Sequence, residues 1–101
     1  MFGKLGDMMG RIKEMKEKAE EVKQALEQTR ISSEGAGGDI KIEMNGNRKL
    51  LSLQIAPGLQ HGDTKVLEEQ LLLSFNKAVA QADKVFEEEM KKAAGGILPG
   101  L

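Results

Sequence analysis

Cysteine is absent from the 101 residues, and so are tryptophan and tyrosine. Without cysteine there is no disulfide scaffold, no thiol nucleophile and no thiolate metal ligand, and nothing indicates an oxidising compartment. Three phenylalanines are the whole aromatic complement, too few for a platform that stacks single-stranded bases. With His61 as the sole histidine, a zinc site would need several converging carboxylates, and no such spacing stands out. Long apolar runs are missing too. No stretch approaches the roughly 18 residues of a membrane span. The opening Met1-Phe2-Gly3-Lys4-Leu5-Gly6-Asp7 lacks the apolar run of a signal peptide. Neither sign of charge dominates, the net charge being −1. That argues against a strongly basic nucleic-acid binder in bulk, although local patches make the field that a ligand meets.

The length fits one domain spanning residues 1–101. A chain this small buries only about 60–65% of its unfolded surface, so its core is modest and a partner helps. Leu5, Met8, Ile12, Met15, Ala19, Val22 and Leu26 recur at alternating spacings of three and four. No proline interrupts them, and the intervening Glu, Lys and Gln are good helix formers. The spacing predicts one long amphipathic helix over about residues 5–29. Ala19 and Thr29 fill little volume, which points to a seam packed on another element of the same fold.

Ile31-Ser32-Ser33-Glu34 precedes the reversal Gly35-Ala36-Gly37-Gly38. Asp39 to Met44 alternates strictly, with Ile40, Ile42 and Met44 on one face. Asn45-Gly46 is a hairpin signal, and Leu51, Leu53 and Ile55 continue the alternation until Pro57-Gly58 ends it. A three-stranded antiparallel sheet follows over about residues 31–56, apolar on one face, with both helices available to cover it. Asp63 or Thr64 can cap a second helix over about residues 64–92. Its apolar face carries Leu67, Leu71, Phe75, Ala78, Ala82, Phe86 and Met90, and Ala93-Ala94-Gly95-Gly96 closes the pattern. The remaining Ile97-Leu98-Pro99-Gly100-Leu101 is a short apolar tail. The fold class is α+β, in the order α-β-β-β-α.

Little resembles an active site. His61 lies in the loop Gly58-Leu59-Gln60-His61-Gly62 and reads as an exposed polar residue. Ser32 and Ser33 lack a nominated base and a third orienting group. Gly35-Ala36-Gly37-Gly38 lacks the Gly-Lys-Ser/Thr ending and following helix of a phosphate loop, since Asp39 and a strand come next. Glu87-Glu88-Glu89 is consecutive, so its members spread around a helix. No catalytic residue, metal, cofactor or small-molecule substrate is expected, and no membrane partner.

The first helix is more informative. With Leu5 at heptad position a and Met8 at d, Lys16, Lys23 and Arg30 fall at e, and Lys4, Arg11 and Lys18 at g. Lys13 sits at b. Asp7, Glu14, Glu17, Glu20, Glu21 and Glu27 occupy b, c or f. The helix has basic lips beside an apolar seam and an acidic back. A parallel pair of such helices would set basic against basic. The lips either pair with acids of the second helix, such as Glu68, Glu69 or Glu87, or face phosphates where the helix projects.

The chain resembles the YbaB/EbfC family of bacterial nucleoid-associated proteins over nearly its full length. The resemblance is carried by Met1-Phe2-Gly3-Lys4 with Met8-Met9, by Glu34-Gly35-Ala36-Gly37-Gly38-Asp39-Ile40-Lys41-Ile42, and by Leu53-Gln54-Ile55-Ala56-Pro57, where Ala56 stands in place of an aspartate common in the family. Leu67-Glu68-Glu69-Gln70-Leu71, Ser74-Phe75-Asn76-Lys77-Ala78 and Leu98-Pro99-Gly100 complete it. The resemblance implies a non-enzymatic, tweezer-shaped homodimer in the cytoplasm, placed on the nucleoid and binding double-stranded DNA. Its DNA contacts would be drawn from Lys4, Arg11, Lys13, Lys16 and Lys18. The alternative is a structural or protein-interaction dimer without significant DNA binding.

Overall fold

The computed structural model describes residues 2–97. Helix α1 spans Phe2–Gln28. It stops where Thr29 turns its hydroxyl back to the Ala25 carbonyl at 2.8 Å. Strand β1 (Arg30–Gly35) and strand β2 (Ile40–Asn45) pair antiparallel, from Arg30 opposite Asn45 to Gly35 opposite Ile40. A single 3₁₀ turn, Ala36–Gly38, joins them. Its three residues all have positive φ, at 51°, 66° and 98°, so the reversal begins on Ala36 rather than on a glycine. Strand β3 (Leu50–Ile55) pairs antiparallel with β2, with a bulge opposite Glu43 and Met44. The sheet order is β1-β2-β3, and the expected α-β-β-β-α arrangement is observed.

One element is additional. Pro57–Gln60 forms a one-turn helix, α2, with proline at its first position, where a missing N–H costs nothing. Helix α3 follows over Thr64–Ile97. Of the two candidate caps, Asp63 supplies it: its carboxylate accepts from the Lys65 amide at 2.8 Å and the Val66 amide at 3.4 Å. The helix does not close near Lys92 as its fading apolar pattern implied. It continues through Gly95 and Gly96, because glycine weakens a helix without forbidding it. The tail beyond Ile97 lies outside the described residues.

The core is Ile31, Ile40, Ile42 and Met44 of the sheet against Ala78 and Ala82 of α3, with Leu71, Phe75, Val79 and Val85 around them. Helix α3 packs over β1 and β2, while α1 meets the sheet only at its end. Two helices covering the sheet was therefore too generous an expectation. Leu50, Leu51 and Leu53 of β3 remain about 40% exposed: 40%, 38% and 40%. The protomer is drawn out to 70 × 22 × 18 Å with a radius of gyration of 19.7 Å, where a compact chain of this length has about 13 Å.

Two glycines are present for close packing. A Cβ on Gly46 would stand 2.6 Å from Leu26 Cδ2 and 3.0 Å from the Leu26 carbonyl, and one on Gly35 would stand 1.8 Å from Ser74 Oγ. Gly10 has nothing within 4 Å of that position. Gly35→Ala and Gly46→Ala should each destabilise by about 1–3 kcal/mol through overpacking, while Gly10→Ala should stabilise by up to about 1 kcal/mol through helix propensity. Urea midpoints of the three variants check this ordering.

Candidate nucleic-acid interface

The sequence placed the basic residues on one helix, and the structure divides that helix in two. Its inner half is rooted. Val22 and Leu26 are buried, and Met15, Lys18, Ala19 and Val22 border a groove whose far wall is Met90, Ala93 and Ala94 of α3. Its outer half is bare. Every residue from Lys4 to Glu17 is exposed. The seam residues there are no exception: Leu5 is 62% exposed, Met8 60%, Ile12 51% and Met15 52%. The expectation that the seam packs within the fold holds for the inner half alone.

The five candidate cations lie along this arm. Lys4, Arg11, Lys13 and Lys16 are exposed, and none takes part in an ion pair among the described residues. Lys18 is half-buried and pairs with Glu21 of its own helix at 3.5 Å. Such an exposed pair is worth about 0–1 kcal/mol and is readily exchanged for another anion. Glu68, Glu69 and Glu87 of α3 engage none of the lips. Arg30, at the root, pairs with Glu43 of β2 at 3.3 Å. The two lips therefore flank an exposed apolar stripe with unpaired positive charge, and the acids occupy the opposite face.

What aims the arm was not legible in the sequence. The loop between β2 and β3 holds both long helices. Buried Asn45 organises it, accepting from the amides of Asn47 at 2.9 Å and Lys49 at 3.0 Å. The Gly46 amide donates to the Leu26 carbonyl at 2.9 Å. Asn47 Nδ2 donates to the Lys23 carbonyl at 3.0 Å and to Glu27 Oε2 at 2.6 Å. Arg48, at φ 65°, pairs with Asp83 of α3 and lies 4.9 Å above the Phe86 ring. The Asn45-Gly46 signal did find a hairpin. Positive φ falls on Arg48, however, and Gly46 is needed for its approach to α1.

No three His, Asp or Glu side chains gather as a metal site among the described residues, and no helix of them is long and apolar enough to cross a membrane. His61 is exposed behind α2.

A model of the YbaB/EbfC DNA-binding family matches residues 1–97. The chain belongs to this family. A nucleoid-associated protein of Chlorobium phaeovibrioides is 36% identical over 93% of this chain and 85% of its own length. One from Chlorobium phaeobacteroides is 37% identical over 93% and 84%. The crystal structure of an uncharacterized protein from Helicobacter pylori superposes with a TM-score of 0.70 at 26% identity, covering 97% of each chain. The α-β-β-β-α order with projecting helices is thus the setting in which this YbaB/EbfC chain carries its basic arm.

If the loop aims that arm, loosening the loop should be felt in α1. Asn47→Ala and Arg48→Ala should each lower stability by about 1 kcal/mol. Amide hydrogen exchange should quicken over Lys23–Gln28 in Asn47→Ala and over the α3 residues near Asp83 in Arg48→Ala.

Proposed function

We propose that this chain acts as a homodimer that binds double-stranded DNA on the nucleoid, with little sequence preference, through the basic lips of α1. The observation that carries the reading is the row of exposed cations, Lys4, Arg11, Lys13 and Lys16, none of them in an ion pair among the described residues. Lys18 joins them once Glu21 is displaced. Phosphate contacts by Lys and Arg add through counterion release, so several weak sites on each of two arms give useful affinity. Such contacts carry no base identity. The family's description and its nucleoid-associated members support the same reading.

The exposed area supports dimerisation. The protomer exposes 7555 Å², where a compact monomer of this mass exposes about 5,600 Å². The surplus exceeds the roughly 800 Å² per partner of a standard interface. A suitable patch exists beside the free edge of β3. Leu53 and Ile55 lie opposite Ile42 and Ile40 and so share the helix-facing side of the sheet, outside the cover of α3. Leu72, 64% exposed, stands two helical turns before Val79 on the same stripe of α3. A second copy seated there would bury these leucines. Sedimentation should give twice the chain mass at micromolar concentration, and Leu53→Asp should weaken the dimer by tenfold or more. A stable wild-type monomer would contradict the reading.

The DNA contact is tested by two double variants. Arg11→Ala with Lys16→Ala should weaken duplex binding at least tenfold and flatten the log–log salt slope by roughly 2–4 units, since each lost contact removes nearly one and the dimer doubles each site. Lys84→Ala with Lys91→Ala should do little. Equal effects from both pairs would refute the assignment to α1. A duplex bound ~1,000-fold tighter than random DNA would contradict the lack of sequence preference. The second reading, a protein-interaction dimer, draws on the exposed stripe of the arm. It would take over if the wild type shows no salt-dependent binding.

A further inference from the structure

We infer that the outer half of α1 lies in the DNA major groove, with Leu5, Met8 and Ile12 toward the groove floor, where they meet thymine methyl groups. This rests on the DNA-binding reading and specifies how the same arm engages the duplex. The apolar stripe runs between the two lips, with Lys4 and Arg11 on one side and Lys16 on the other. A polyanion that touches both lips must straddle the stripe. A helix with its side chains is about 10–12 Å across. The major groove is about 12 Å wide and the minor groove about 6 Å, so the groove whose two backbones can receive the two lips is the major one. The bare stretch from Lys4 to Glu17 is roughly 20 Å long, about six base pairs of duplex. In this placement Asp7, Glu14 and Glu17 face outward, away from the phosphates.

The stripe then has a partner of fitting chemistry. The apolar group on the major-groove floor is the thymine C5-methyl. Leu5, Met8 and Ile12, each more than half exposed in the protomer, bring flexible or branched hydrocarbon to it and no hydrogen-bonding group. The outcome is a modest leaning toward thymine without a base code. A second copy of α1 is a poor occupant of the stripe. Pairing in parallel sets e against g, and antiparallel pairing sets each against itself, so cations meet in both cases. A lipid surface would favour aromatic anchors, and the chain has neither Trp nor Tyr.

The test compares an alternating adenine–thymine duplex with the same duplex carrying uracil for thymine. The two share phosphates and base-pairing edges and differ in the methyl group. The wild type should bind the uracil duplex at least about fourfold more weakly, the worth of one buried methyl group per contact. Met8→Ala with Ile12→Ala, both at exposed positions, should bring that ratio close to one while keeping the salt slope. Equal affinities for the two duplexes with a steep salt slope overturn the groove assignment and leave the phosphate reading standing. No binding to either overturns both. A changed dimer mass in the Met8/Ile12 variant assigns the stripe to a second copy and also overturns the proposal.

Discussion

Gly46 lies so close to Leu26 that no side chain fits between them, and on this contact depends the course of the arm that α1 projects from the protomer. Among the α1 residues whose burial is described, only Val22 and Leu26 are buried hydrophobics. A helix held along its inner half is a lever, and from Lys18 to Lys4 its bare part reaches about 21 Å. A small tilt at the root therefore becomes a large displacement at the tip. The loop that limits this tilt is itself fixed by a buried side chain, Asn45, which replaces two backbone partners that the turn would otherwise leave unsatisfied. Its neighbours then reach in two directions, Asn47 to α1 and Arg48 to α3.

The same economy of contact explains the unusual surface. The core is built mainly from two strands and small residues of one helix, where Gly35 and Ser74 allow β1 and α3 to approach closely. What this core cannot cover falls into two sets. One is on β3 and the flank of α3, where Leu50, Leu51, Leu53 and Leu72 are exposed, the patch proposed for a second copy. The other is on the arm, narrow and lined with cations, the form of a surface that meets a polyanion. The proposed dimer patch and the proposed DNA-binding surface thus use different residues of a 70 Å protomer.

Periodicity told which face of each element is apolar, and on that basis α1, the three strands and α3 were legible. It could not tell what covers a face. The seam from Leu5 to Leu26 reads as one pattern, yet Met90, Ala93 and Ala94 meet only its inner half, because coverage depends on where α3 ends in space. The same limit hid the open side of β3, whose Leu53 has the pattern of a core residue and only partial burial. The cations were legible by type and heptad position. Their freedom from Glu68, Glu69 and Glu87 was not, since pairing across elements needs the inter-helix geometry. Asn45, Asn47 and Arg48 carried only a turn signal, and their bracing role depends on contacts 20 to 35 residues away in sequence.

Methionine supplies built-in probes of the central claim, that the bare half of α1 is where DNA is met. Met8 and Met9 lie on the arm, Met15 at its base, Met90 beside it on α3, and Met44 is 2% exposed in the core. Methionine methyl resonances should be followed while a short random-sequence duplex is titrated at low salt, then while salt is added back. The Met8 and Met9 signals should move in proportion to bound duplex and return with salt, while Met44 and Met90 stay in place. Movement confined to Met90 or Met44, with Met8 and Met9 unchanged at saturation, would contradict it.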